Sequence, residues 1–83
     1  METFTIYILY SDQFDKYYIG QTSNFESRIK LHNSGLVQST KPYVPWEKAL
    51  TIEKSSRVES MKLEKKLKNL NRQRLLQFIE KYG

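Results

Sequence analysis

Two runs near the N-terminus restrict what this chain can fold into. "FTIYILY", Phe4–Tyr10, is β-branched and aromatic with no breaker, and "YYIGQT", Tyr17–Thr22, is a second run of the same kind. Between them "SDQFDK" supplies turn-forming residues. So short a connection joins neighbouring strands as an antiparallel hairpin. The second strand holds a glycine, Gly20, where a side chain would pack better. A glycine inside a strand marks a close approach by a ligand or another backbone, or else a bulge.

The helices that follow are announced by their caps. Ser23 with Glu26 makes an S-x-x-E capping box, and the helix it opens is expected to stop near "HNSG" at Gly35. "LVQSTKPYVPW" contains both prolines and reads as a loop with extended pieces. "EKALTIE", Glu47–Glu53, reads as a third strand. Ser56 with Glu59 is a second capping box, for a helix to about Leu70. Asn71 then caps a last helix with Leu75, Leu76, Ile79 and Tyr82 on its buried side. The order β-β-α-β-α-α predicts the α+β class, a small three-stranded antiparallel sheet flanked by helices.

With 83 residues, the chain is expected to form one domain over 1–83, with room for one core and little internal cavity. "METFTIYILYSD" has no basic n-region or small-residue cleavage site, so it is expected to be the first strand and not a signal peptide. No apolar run approaches the roughly 18 residues of a membrane span. Cysteine is absent, which points to a reducing, cytoplasmic setting and excludes a Cys-ligated zinc site; one histidine cannot make a His-rich site.

The net charge of +5 is unevenly spread. Residues 54–83 hold nine Lys/Arg against Glu59, Glu64 and Glu80, a net of +6, while residues 1–53 have a net of −1. A polyanion, commonly nucleic acid, is the natural partner of such a surface, although a solvated helix face has the same composition.

Several polar residues break the folding pattern. Met61, Glu64 and Leu67 lie along one helical ridge, which sets a carboxylate between apolar neighbours. Glu64 is either a metal ligand or general base at the core edge, or an exposed glutamate paired with Lys68. Arg28 and His32 share a helix face. Both can contact a phosphate, Arg28 through a planar fork, and a neutral His32 can move a proton near pH 7; an ordinary exposed face is the alternative. Tyr7 and Tyr18 fall on adjacent strands and can sit side by side, either as core aromatics or as reactive phenols.

The same residues resemble the GIY-YIG nuclease domain, especially its short stand-alone bacterial members. "YIG" is intact at Tyr18-Ile19-Gly20, and the first motif appears as Thr5-Ile6-Tyr7 with threonine in place of its glycine. Arg28 and His32 follow at the family spacing, "ESMKLEKKLK" resembles the glutamate helix with Glu64, and "HNSG" and "STKPYVPWE" match the short-member pattern. The likeness runs from about Phe4 to Arg72.

The resemblance implies a metal-dependent endonuclease acting on nucleic acid, DNA ahead of RNA, with Mg²⁺ or Mn²⁺ held by Glu64. Tyr7, Tyr18, Arg28, His32 and Glu64 would be catalytic, with Tyr18 as the base and Tyr7 its partner. Gly20, Gln21, Lys65, Lys68 and Arg72 would contact substrate, Gly20 by leaving room for its backbone. Gln21 stands where some repair-nuclease relatives carry lysine. Many relatives attach the domain to a targeting module, so a protein partner would supply targeting here. The contrasting expectation is a non-catalytic nucleic-acid-binding module that stacks bases on an exposed Tyr43 and Trp46. A further one is a protein-interaction module using Leu75, Phe78, Ile79 and Tyr82.

Overall fold

The structure, a computed structural model, describes residues 3–83; Met1 and Glu2, the start of the segment read as the first strand, lie outside the described residues. Three strands and three helices follow in the expected order. They are β1 Phe4–Ser11, β2 Lys16–Thr22, α1 Phe25–Asn33, β3 Glu47–Lys54, α2 Arg57–Lys68 and α3 Arg72–Tyr82, with a short 3-10 turn at Lys41–Tyr43.

The sheet order is β2-β1-β3, and both pairings are antiparallel. A central strand covered on both faces needs apolar residues in succession. β1 has them: Ile6, Tyr7, Ile8 and Leu9 are all 2% exposed or less. Alternation along the strand divides these residues between two layers. Ile6 and Ile8 pack with Leu50, Leu67 of α2 and Leu75 of α3, while Tyr7 and Leu9 pack with Trp46, Phe25 and Ile29 on the α1 side. The hairpin register sets Tyr7 opposite Gly20 and Leu9 opposite Tyr18. Tyr18 and Gly20 therefore face α1, and Gln21, one residue on, faces α2.

The helix caps are mostly where expected. Ser56 accepts from the Glu59 N–H and Asn71 from the Arg74 N–H, and Gly35, at φ +80°, ends α1 in the left-handed region. The first cap differs. Asn24, not Ser23, caps α1, accepting from the Ser27 N–H at 3.1 Å. The Thr22 hydroxyl holds the Asn24 N–H at 3.1 Å, in an extended conformation suited to an N-cap.

The buried stripe of α3 also differs from expectation. Leu75 is buried and Phe78 and Ile79 pack on the core, whereas Leu76 and Tyr82 are exposed. The stripe that meets the sheet runs at i, i+3 and i+4, which leaves Leu76 and Tyr82 on its flanks. Adjacent leucines of one helix should thus respond differently to truncation. In urea unfolding, Leu75→Ala is expected to cost about 2–5 kcal/mol, and Leu76→Ala about 0.5 kcal/mol or less.

Candidate active site

Gly20 accommodates Tyr7. A Cβ built at Gly20 would lie 2.6 Å from Tyr7 Oη and 2.7 Å from its Cζ, so the ring occupies the space a side chain would fill. The ladder runs unbroken through Gly20, which excludes a bulge there. The room expected for a substrate backbone above Gly20 is filled by this tyrosine. Around the Tyr7 ring stand Phe25, His32 and Tyr18, with centroids 5.6, 5.8 and 6.3 Å away.

The Tyr7 hydroxyl is 3.0 Å from His32 Nε2, and His32 Nδ1 is 2.8 Å from Thr40 Oγ1. The Thr40 hydroxyl donates to the Val37 carbonyl at 3.4 Å, which leaves its oxygen to accept from Nδ1–H. His32 Nε2 then accepts from the Tyr7 O–H. Burial pushes the Tyr7 phenol up to about 12, with Tyr18 and Glu64 acting in the same direction and Arg28 in the opposite one. Burial also lowers the His32 pKa, and the charge of Arg28 adds to the effect. Both groups are therefore neutral at pH 7. His32 is 1% exposed, so its ring is a buried link to Tyr7 and not a surface contact for a phosphate.

Residues 34–46 close over this chain. Trp46 Nε1 donates to the Thr40 carbonyl at 3.0 Å, and Asn33 Nδ2 donates to the Trp46 carbonyl at 2.9 Å. Trp46 is 4% exposed and Tyr43 half-buried against it, so the exposed stacking pair expected from the loop does not form. Two segments that looked like separate motifs, "HNSG" and "STKPYVPWE", bind each other. Nothing local to Thr40 in the sequence signals its bond to a histidine eight residues earlier.

On the opposite face of β2, Gln21 Nε2 donates to Glu64 Oε1 at 3.3 Å and Ser60 Oγ donates to Gln21 Oε1 at 2.6 Å. Lys68 Nζ lies 3.2 Å from Glu64 Oε2. Ser60, one turn before Glu64, is fully buried, and nothing in its local sequence marks it as a partner of Gln21. Gly20 and Gln21 thus place Tyr7 on one side of the strand and Glu64 on the other, and the charges of Arg28 and Glu64 both reach the Tyr7 hydroxyl. Lys65 and Lys68 are exposed beside Glu64 and share a hollow with it. Arg72 stands apart at the hairpin turn, ion-paired with Asp15 and lying 5.4 Å from the Tyr17 ring centroid.

The family model of the GIY-YIG catalytic domain matches residues 3–77. This chain belongs to the GIY-YIG family. It is also similar to the UPF0213 protein BH0048 from Bacillus halodurans, known from a solution NMR structure. The TM-score is 0.66 and the identity 29%, over 98% of this chain and 86% of that one. No curated protein matches the chain in sequence. The GIY-YIG family is one of nucleases, which implies binding to nucleic acid, and its members generally use a divalent metal. The threonine that replaces the first motif glycine leaves the strand regular: Thr5 pairs with Thr22 on one side and Glu53 on the other.

Among the described residues no three His, Cys, Asp or Glu side chains cluster, so Glu64 belongs to no preformed cage of several protein ligands. It fits a hard cation that keeps most of its own waters, since Mg²⁺ needs only one or two protein carboxylates. One Glu64 oxygen is oriented by Gln21; the other is held by Lys68, whose side chain is 54% exposed and free to swing away.

Two measurements probe this architecture directly. Gly20→Ala should cost about 1–3 kcal/mol by overpacking against a ring that has no space to retreat, and should shift the His32 ring resonances in NMR. The second uses the single histidine. Its folded pKa is lowered, so below the ~6.5 of an unfolded histidine the unfolded chain binds the proton first. Stability is therefore expected to fall as pH drops below about 6.5, towards the folded value. His32→Gln should flatten that slope in urea unfolding across pH 5–8.

Proposed function

We propose that this protein is a divalent-metal-dependent endonuclease hydrolysing phosphodiester bonds of nucleic acid, DNA ahead of RNA, at the edge formed by β2, α1 and α2. The observation that carries this reading is the surroundings of the Tyr7 hydroxyl: it is hydrogen-bonded to His32, its ring lies beside Tyr18, and the charges of Tyr18, Arg28 and Glu64 all act on it, with Glu64 held from the other face of β2 by Gln21.

Each residue has a role suited to its surroundings. Glu64, held by Gln21, would hold the metal, which when bound supplies Lewis-acid stabilisation of the phosphate and of the leaving oxygen. Arg28 is exposed and presents a guanidinium to a non-bridging phosphate oxygen, where negative charge grows in the transition state. Tyr18 is half-buried, and its hydroxyl has no hydrogen-bond partner among the described residues, so it is free to meet a water from solvent. As the base it takes a proton from that water; the water oxygen forms the new bond to phosphorus, the bond to the leaving oxygen breaks, and that oxygen gains a proton from solvent to leave as an alcohol. Tyr7 stays neutral and donates to His32, which keeps its ring beside Tyr18. Lys65 and Lys68 contact flanking phosphates. Gln21 acts through Glu64 and not on substrate, and Arg72 serves the hairpin turn. The cysteine-free composition fits a cytoplasmic setting, and no described helix is long and apolar enough to cross a membrane.

The test is cleavage of duplex, single-stranded and branched DNA and RNA with Mg²⁺ or Mn²⁺. Glu64→Ala and EDTA should each abolish cleavage while leaving a folded protein that still binds. Tyr18→Phe should lower kcat by about 10²–10⁴-fold. Binding without cleavage of any substrate would replace this reading with a non-catalytic module.

A further inference from the structure

We propose that the groove between α2 and α3 is a second docking surface for the phosphate backbone of nucleic acid, separate from the cleavage site. The groove has a volume of about 550 Å³, and Lys66, Arg74 and Lys81 face into it beside Phe78 and Tyr82. A hollow that shares Lys66, Phe78 and Tyr82 extends it to Lys54 of β3. No carboxylate lines either part. Among the described residues, none of these four cations forms an ion pair; the two ion pairs use Lys68 and Arg72.

A solvated basic helix spreads its charges outward. Here two helices and a strand bring four unpaired cations to one concavity, where their fields add and their mutual repulsion is relieved by a polyanion. The aromatic residues narrow the choice of polyanion. Phe78 and Tyr82 lie with ring centroids 4.6 Å apart, Lys81 Nζ is 5.3 Å from the Tyr82 centroid, and Tyr82 is 54% exposed. An exposed tyrosine ring beside cations, backed by a half-buried Phe78, suits sugars and bases alternating with phosphates, as in single-stranded nucleic acid, more than an acidic peptide.

The surface is distinct from the site around Glu64. Lys66 follows Glu64 by two residues, about 200° around α2. A backbone seated in the groove therefore leaves the Glu64 side of the helix open for another segment.

The experiment is fluorescence anisotropy of the full chain with a labelled 20-nucleotide single strand in EDTA, over a range of salt, with probe integrity checked on a denaturing gel. Because the readout is binding without metal, it does not depend on cleavage, and loss of nuclease activity would not register in it. Lys66→Glu, Arg74→Glu and Lys81→Glu together are compared with a charge-matched control, Lys16→Glu, Lys41→Glu and Lys48→Glu. Each lost phosphate contact lowers the salt slope by about 0.7 for single strands. The groove variant should lose about 2 in slope and at least about tenfold in affinity at low salt, and the control should keep its slope. Equal losses in both variants would reduce the effect to net charge and overturn the proposal, as would an unchanged groove variant. Competition by polyglutamate as strong as by unlabelled strand of equal charge would overturn the nucleic-acid assignment. If the reversals unfold the protein, the corresponding glutamine substitutions are read by the same criteria.

Discussion

The Tyr7 ring lies over Gly20 in the next strand, and most of the site's geometry depends on that contact. With no side chain at Gly20, the phenol can lie flat against the ladder and remain buried. Its hydroxyl then reaches His32 on α1, and the ring settles against Tyr18 and Phe25. Burial of the pair keeps the phenol and the imidazole neutral, because each would lose hydration on charging. Segment 34–46 completes the arrangement by fixing the far nitrogen of His32 through Thr40 and covering it with Trp46.

A second set of contacts uses the same stretch of β2 from the other face. Gln21 points away from Tyr7 and holds Glu64, with Ser60 holding Gln21 in turn. A polar chain on one face of an edge strand and a phenol on the other bring a carboxylate and a tyrosine into each other's field without either crossing the sheet. α2 divides the basic surface in the same way. Lys65 and Lys68 sit beside Glu64, while Lys66 turns towards α3. The charge excess of the C-terminal third is thus distributed over two surfaces, and Arg72 is spent on anchoring the hairpin turn.

Much of the scaffold was legible because its rules are local. The hairpin, the third strand, the caps at Ser56 and Asn71 and the stop at Gly35 each rest on residues within a few positions of one another. Local rules also explain the misreadings. Ser23 and Asn24 are both good N-caps, and the Thr22 hydroxyl selected the second. A proline-rich segment looks like surface loop, but Trp46 within it is buried by contacts from Thr40 and Asn33. Helical periodicity admitted Leu76 and Tyr82 to the buried stripe, and only the position of α3 on the sheet shows that Phe78 takes their place.

By itself the sequence determined the order of elements, the hairpin that sets a tyrosine-bearing strand beside a glycine-bearing one, and the chemical types at the site: phenols, a guanidinium, an imidazole and a carboxylate. The tertiary structure alone decided which of them meet. Tyr7 and His32 are 25 residues apart and Gln21 and Glu64 are 43 apart. Hydrogen bonds and pKa shifts fall off over a few ångströms, and burial depends on which surfaces pack together. Spacing along the chain carries that information only within one or two helical turns or between paired strands. For that reason only the tertiary structure sets Gln21 against Glu64 of α2 and covers His32 with segment 34–46.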